Sequence, residues 1–304
     1  MITVIGSSNT DMILKLGRIP APGETLLGGE FQMAAGGKGA NQAVAAARAG
    51  AEVTFIACVG KDVFGEQAIQ GFQKDGIHTQ FVFQEEGPAS GVALIFVSEQ
   101  GENSIGVASG ANAKLLPKNI DAAISAIEEA DLVLLQLETP IETIAYAIEM
   151  AHKIGKKIIL NPAPAQALST DILSKVDILT PNETEAALLT GMAVNSAQDA
   201  EEAAKKLGEM GVKEVIITLG KEGALHYDGN SAKVIPGFVV DAQDTTAAGD
   251  TFNGSLSVGL TEGKSMEEAI RFAHGASALS VTRMGAQPSV PSRKEIEDFL
   301  AQQG

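Results

Sequence analysis

Apolar runs rich in Val, Ile and Leu alternate along the chain with runs that are Ala-rich or place apolar residues at helical spacing. Ile2–Gly6, Val53–Ala57, "DLVLLQLE" (131–138), "KKIIL" (156–160), "VDILT" (176–180) and "EVIITLG" (214–220) read as strands. Between them Ala40–Ala49, Phe64–Lys74, Ile141–His152, the run after "TPN" at 180–182, and Ala197–Met210 read as helices; Gly50 and Gly76 stop the first two. This order predicts an α/β protein whose parallel strands carry helices on both faces. From Ala248 onward the chain reads as helical apart from the turn "RMGAQPSVPS" (283–292).

Three segments break the alternation: Ile13–Leu16, Glu24–Met33 and Val92–Val107, the last associated with the hairpin-like "SEQGENS". They read as strands without intervening helices, so short crossovers cannot bring them into a parallel sheet. They predict a small separate β-layer, a lid on a single domain spanning 1–304, with lid strands from about 13–33 and 90–108. A small sheet with an apolar face needs cover, which makes pairing with a second copy through it an expectation.

Composition narrows the function. Of 304 residues, 45% are hydrophobic and 20% charged, enough for a sizeable core, and the formal net charge is −16. That balance argues against nucleic acid or an anionic membrane as partner, while leaving room for a phosphorylated ligand at a local N–H-rich site. The single cysteine, Cys58, excludes an internal disulfide and points to a reducing cytoplasm; it lies in the apolar run "VTFIACVG" and reads as inert core. The N-terminus lacks the pattern of a signal peptide, and no apolar run approaches a membrane span of about 20 residues. Four scattered histidines give no structural zinc pattern.

Five short stretches carry candidate chemistry. In "DTTAAGDTFNG" (244–254), Ala247, Ala248 and Gly249 precede Asp250 at the start of a helical run. The first amides of a helix have no intrahelical partner and attract an anion, and small side chains let a ligand approach. Asp250 beside such a site could take a proton from a hydroxyl attacking a phosphoryl group, or simply cap the helix. "AAGGKGANQA" (34–43) lacks the Walker spacing, yet its glycines open a turn before a helix, with Asn41 in the first turn; it could equally be only a turn. "GSSNTD" (6–11) follows the first strand, and Asn9 with Asp11 would suit neighbouring hydroxyls of a polyol. In "TPNETE" (180–185), Asn182 and Glu185 fit either a capping box or a hydrated Mg²⁺ site. "ITLGKEG" (217–223) could border a nucleotide or make a hairpin, and a lone histidine in "RFAHGASALS", His274, reads first as core.

These stretches, with "NPAPA" (161–165) and "GAQPSVP" (285–291), occur in one order over the whole length. Together they resemble the ribokinase/PfkB carbohydrate-kinase family. The resemblance implies a three-layer α/β/α ribokinase-like fold, with a mostly parallel central sheet and a β-lid that clasps a second subunit. It implies ATP-dependent phosphorylation of D-ribose at the 5-hydroxyl. Asp250 would be the base and Ala247, Ala248 and Gly249 the anion hole. Asn9, Asp11, Gly36, Gly37, Lys38, Gly39, Ala40, Asn41 and Glu138 would hold the sugar. Asn182, Thr218, Leu219, Gly220, Lys221, Glu222, Gly223 and His274 would contact ATP, with Gly249 shared, and Asn182 and Glu185 would position Mg²⁺. A monovalent cation, K⁺, would take Asp244, Thr246, Ser280, Arg283, Gly285 and Ser289, mostly through backbone carbonyls. Other readings are a kinase for deoxyribose, fructose or a nucleoside, and a non-catalytic sensor on the same fold. The paucity of aromatics, 4% with no Trp, argues against a nucleoside.

Overall fold

The computed structural model describes residues 1–303. Its thirteen strands are β1 (Ile2–Ile5), β2 (Asn9–Leu16), β3 (Glu30–Gly36), β4 (Val53–Gly60), β5 (Val82–Glu85), β6 (Gly91–Ser98), β7 (Asn103–Ala108), β8 (Leu132–Leu135), β9 (Lys157–Leu160), β10 (Ile178–Leu179), β11 (Glu214–Thr218), β12 (Ala224–Tyr227) and β13 (Ala232–Ile235). Nine form the main sheet in the order β13-β12-β11-β10-β9-β8-β1-β4-β5. It is parallel from β11 to β5, and β12 and β13 add an antiparallel edge.

The central strands are continuous apolar runs because both faces are covered. Alternate side chains go to opposite layers. Ile5, Ile56, Cys58, Val133 and Leu135 pack with Ile144, Ala147, Ala203 and Leu207 of the helices Ile141–Lys153 and Ala197–Glu209. On the other side Ile2, Val4, Phe55 and Leu134 pack with Ala43, Val44, Leu256 and Ile270 of the helices Lys38–Arg48, Ala248–Thr261 and Met266–Val281. Cys58 is buried, and burial pushes its thiol up to about 12, in keeping with an inert core position.

The segments that interrupt the alternation form a second sheet, β3-β2-β6-β7. Its strands run beyond the expected bounds: β2 begins at Asn9, and β3 starts only at Glu30 and continues to Gly36. The stretch expected to be extended from Glu24 contains no strand before Glu30. Register places Asp11 opposite Ala34 and Ala93, and Ala93 opposite Val107, so Asp11 shares a face with Val107. Met33, Met12 and Leu94 form a row on the opposite face. Phe31 (59% exposed), Met33 (47%) and Leu94 (51%) on that face, and Ile105 (56%) and Val107 (54%) on the Asp11 face, lack cover within the single chain.

Candidate active site

The polar residues gather beyond the carboxyl ends of the parallel strands, where open α/β sheets bind ligands. Glu138 follows β8, Asn161 follows β9, Thr180 follows β10, and Thr218 ends β11. From the other side two helices bring in their first turns. Gly254 makes their approach possible: a Cβ there would lie 2.6 Å from both Ala45 Cβ and the Gln42 carbonyl oxygen. The helix Ala248–Thr261 therefore lies close against Lys38–Arg48, and Asp250 meets Asn41 and Gln42.

Asp250 is buried at 6% exposure. Its Oδ2 accepts from Asn41 Nδ2 at 2.9 Å and its Oδ1 from Gln42 Nε2 at 2.9 Å. Immediately before the helix, Ala247 sits at φ 59, the one non-glycine residue with positive φ among the described residues. An alanine in this conformation costs about 1–2 kcal/mol, and such strain concentrates where backbone is shaped for a ligand. The Ala248 amide is used by the turn, donating to the Thr245 carbonyl at 3.2 Å. The amides of Gly249 and Asp250 lie in the first helical turn, where no intrahelical acceptor is available. A Cβ built on Gly249 meets nothing within 4 Å, so this glycine borders open space.

That space is two adjoining cavities. One, of about 320 Å³, is walled by Phe238, Val239, Val240, Ala278 and Val281. The other, of about 340 Å³, is polar, and its walls include Lys38, Asn182, Glu183, Glu185 and Asp250. Thr218, Gly220, Ala248 and Gly249 belong to both. Burial disfavours the Lys38 ammonium, but the carboxylates of Asp250, Glu138 and Glu185 outweigh it and hold Lys38 above the ordinary lysine value. Burial, helped by Asp250, pushes the Glu185 carboxyl up against the pull of the Asn182 amide and Lys38. Asn182 and Glu185 do form a capping box: Asn182 Oδ1 accepts from the Glu185 amide at 2.8 Å and Glu185 Oε2 from the Asn182 amide at 2.9 Å. Capping and cavity wall are the same two residues.

The glycine turn brings the sugar-site candidates together through close backbone approach. A Cβ on Gly36 would lie 2.3 Å from Asp11 Oδ2, one on Gly37 (φ 90) 2.7 Å from the Asn9 amide, and one on Gly39 2.5 Å from the Ser7 amide. Ala40 is buried in the core, where its amide donates to the Ser7 carbonyl at 2.8 Å. Glu138 Oε2 accepts from Ser7 Oγ at 2.5 Å and from the Lys38 amide at 3.0 Å. Asn112 orients Asn9: its Nδ2 donates to Asn9 Oδ1 at 2.7 Å, which leaves the Asn9 amide N–H groups for a ligand. Asp11 differs from all of these. No hydrogen bond from the described residues reaches its carboxylate, and burial, with Glu138 and Asp250 nearby, pushes its carboxyl up to about 6.

Of the nucleotide candidates, Thr218, Gly220, Lys221, Gly223 and His274 line the apolar cavity. Leu219 is instead buried in the core and Glu222 is exposed, so neither side chain joins the cavity walls. "ITLGKEG" is both hairpin and cavity wall, since β11 turns there into antiparallel β12. His274 lies 5.2 Å from the Phe252 ring, and burial lowers it to about 4, so the imidazole is neutral at physiological pH. Asp244 Oδ1 accepts from Thr246 Oγ1 at 2.6 Å and from the Thr246 amide at 2.9 Å, and Oδ2 from the Gly285 amide at 2.8 Å. Burial opposes an ionised Asp244, yet these bonds win and hold its carboxyl below the ordinary value. The Ser280 and Ser289 hydroxyls donate to the carbonyls of Ser277 and Ala286, and the Arg283 guanidinium turns to Glu295 at 2.7 Å.

Four further residues complete the site: Gln42, Gln136, Asn161 and Asn253. Gln42 joins Asp250 to Asn161, and Asn253 Nδ2 donates to the Gly249 carbonyl at 2.8 Å. Three of them stand inside "GGKGANQA", "NPAPA" and "AAGDTFNG", next to the residues singled out; Gln136 had only its place at the end of an apolar strand run to mark it.

Residues 1–293 match the pfkB family of carbohydrate kinases. The chain belongs to this family. It is 47% identical to a ribokinase of Haemophilus influenzae over 98% of each chain. It is 39% identical to a deoxyribokinase of Salmonella typhimurium over 99% of this chain and 98% of that one. The fold superposes on a ribokinase of Arabidopsis thaliana, complexed with ribose and ATP, with a TM-score of 0.93 at 34% identity over 98% of both chains. No helix among the described residues is long and apolar enough to cross a membrane.

Proposed function

We infer that this protein transfers the γ-phosphoryl group of ATP to the 5-hydroxyl of D-ribose, giving ribose 5-phosphate and ADP. The observation that carries the reading is the placement of Asp250: a buried carboxylate, held by two amide donors, in the first turn of a helix whose open Gly249 joins an apolar cavity to a polar one. The adenine enters the apolar cavity beside neutral His274, and the phosphates run past Gly249 toward Lys38. Asp250 takes the hydroxyl proton as the sugar oxygen bonds to the γ-phosphorus, and the bond to the β–γ bridging oxygen breaks to release ADP. The Gly249 and Asp250 amides and the Lys38 ammonium stabilise charge on the moving group. Asn9 donates to, and Asp11 accepts from, the adjacent hydroxyls that ribose has and deoxyribose lacks.

Mg²⁺ fits the polar cavity, whose walls carry Glu183, Glu185 and Asp250 against Lys38 alone, so a bare triphosphate would meet a net negative surface. Glu185 and Asn182 would hold the ion through water. When bound, it offsets the charge of the phosphate oxygens. K⁺ fits the loop in which Asp244, kept ionised, ties Thr246 to Gly285 just before the anion hole; the carbonyls of Ser280, Arg283 and Ser289 would supply further oxygens. A single buried cysteine suits a cytoplasmic enzyme.

Residues 1–304 act as one kinase domain with β2, β3, β6 and β7 as its lid. The Asp11 face of that sheet closes over the sugar and excludes water, while Phe31, Met33 and Leu94 on the other face bind a second copy. Met33→Asp should convert a dimer to a monomer in sedimentation; an unchanged sedimentation coefficient removes the lid interface. The substrate reading is tested by ADP formation over ribose, deoxyribose, fructose and adenosine with Mg²⁺, in K⁺ or Na⁺. Ribose should give the highest kcat/KM, and faster turnover in K⁺. Preference for deoxyribose would reassign the sugar, equal rates in the two salts would remove the cation, and no sugar-dependent ADP would leave a sensor.

A further inference from the structure

Two glutamines stand behind Asp250, and hydrogen bonds to neighbours set the orientation of the Gln42 and Asn161 amides. Gln136, fully buried just after β8, donates from Nε2 to Gln42 Oε1 at 2.6 Å. With its oxygen so occupied, Gln42 can present only N–H groups on its other side. It gives them to Asp250 Oδ1 at 2.9 Å and to Asn161 Oδ1 at 3.0 Å. Asn161 in turn donates from Nδ2 to the Thr180 carbonyl at 3.0 Å, which turns its oxygen toward Gln42. Both ends of the Gln42 amide are thereby specified. Gln136 itself is poorly served: its Oε1 is buried with no partner, 2.1 Å from where a Cβ on Gly6 would stand. A buried acceptor left unpaired costs stability, so packing alone does not account for a glutamine here.

We propose that Gln136 is a positioning residue for phosphoryl transfer, fixing the Gln42 amide so that it always donates to the Asp250 carboxylate. Were the Gln42 amide reversed, its carbonyl oxygen would face the Asp250 oxygen, and repulsion would turn the base away from its two-donor seat. Gln136 touches neither cavity, so its effect reaches the reaction only through Gln42. This rests on Asp250 being the base.

The experiment compares Gln136→Met, Gln42→Met and the double variant by steady-state kinetics and thermal melting. Gln136→Met should lower kcat about tenfold or more, leave both substrate KM values within about twofold, and leave the melting temperature nearly unchanged, because the orphaned Gln136 oxygen is exchanged for an orphaned Gln42 oxygen. In the Gln42→Met background, Gln136→Met should have no further effect on kcat. Wild-type kcat in Gln136→Met, or additive losses in the double variant, would overturn the proposal. Should Gln136→Met not fold, Gln136→Asn, which keeps the amide but falls one methylene short of Gln42, reads the same loss. Asp250→Asn separates the two readings. If it retains turnover, the base assignment is wrong; if it loses turnover while Gln136→Met does not, only the positioning role is wrong.

Discussion

Asp250 and Asp11 are both buried aspartates at the same end of the sheet, and their surroundings are opposite. Asp250 is fully engaged, each carboxylate oxygen receiving an amide N–H from the neighbouring helix. Asp11 receives no hydrogen bond from the described residues and is pushed up to about 6 by burial and by Glu138 and Asp250. A group that must hold one position through a reaction is served by fixed donors. A group that must accept bonds from an arriving polyol is left without donors until the ligand brings them. The second arrangement is costly in the empty protein, as the proposed role of Asp11 in holding the sugar would require.

The largest expected effect is at Asp250, the proposed base. Asp250→Asn keeps the shape and an acceptor for one of the two amides but cannot take the proton, so kcat should fall by about 10²–10⁴ with little change in ribose KM, measured by coupled assay. Retained turnover would place the chemistry elsewhere.

At Asp11 the expected kinetic effect is smaller and falls on KM. Asp11→Asn should raise ribose KM with kcat less affected, and it should stabilise the protein. The sign follows from linkage. A carboxyl raised from 3.8 to about 6 on folding binds a proton more tightly in the native state, so ionising it costs stability above about pH 6. That cost is relieved as pH falls through this window and is gone near pH 4. Asn removes it at neutral pH, worth about 1–3 kcal/mol, and chemical denaturation at pH 7.5 and pH 4 should show the gain only at the higher pH. In the unmodified protein, ribose KM should rise as pH drops below about 6, when Asp11 takes up its proton. A KM flat from pH 7.5 to 5 would mean that Asp11 is not an acceptor for the sugar.

Much of this was legible in the residues themselves. The strands that no crossover could place in the main sheet do form a separate sheet, antiparallel at its β3-β2 and β6-β7 pairs and parallel only between β2 and β6, which are far apart along the chain. Asp250, Gly249 and the glycine turn stood out because small residues beside polar ones at a predicted helix start signal backbone made available. Gln136 did not stand out: a lone glutamine after "LVLL" has no signature, since its meaning lies in a contact with a residue 94 positions away. Within "ITLGKEG" the spacing does not distinguish Leu219 and Glu222, which line neither cavity, from Thr218, Gly220, Lys221 and Gly223, which do, because a turn shows a cavity only some of its residues.

Apolar periodicity, glycine placement and the order of the motifs were enough to settle the α/β layering and the family, and to point to the end of the sheet where the candidate polar residues gather, because each depends on local spacing. The tertiary structure alone decided which donors reach which carboxylate. Hydrogen bonds of 2.6–3.0 Å among Gln136, Gln42, Asn161 and Asp250 require strand ends and helix starts to meet across 94 to 208 residues, and close packing at Gly254 brings the helix carrying Asp250 up to Gln42.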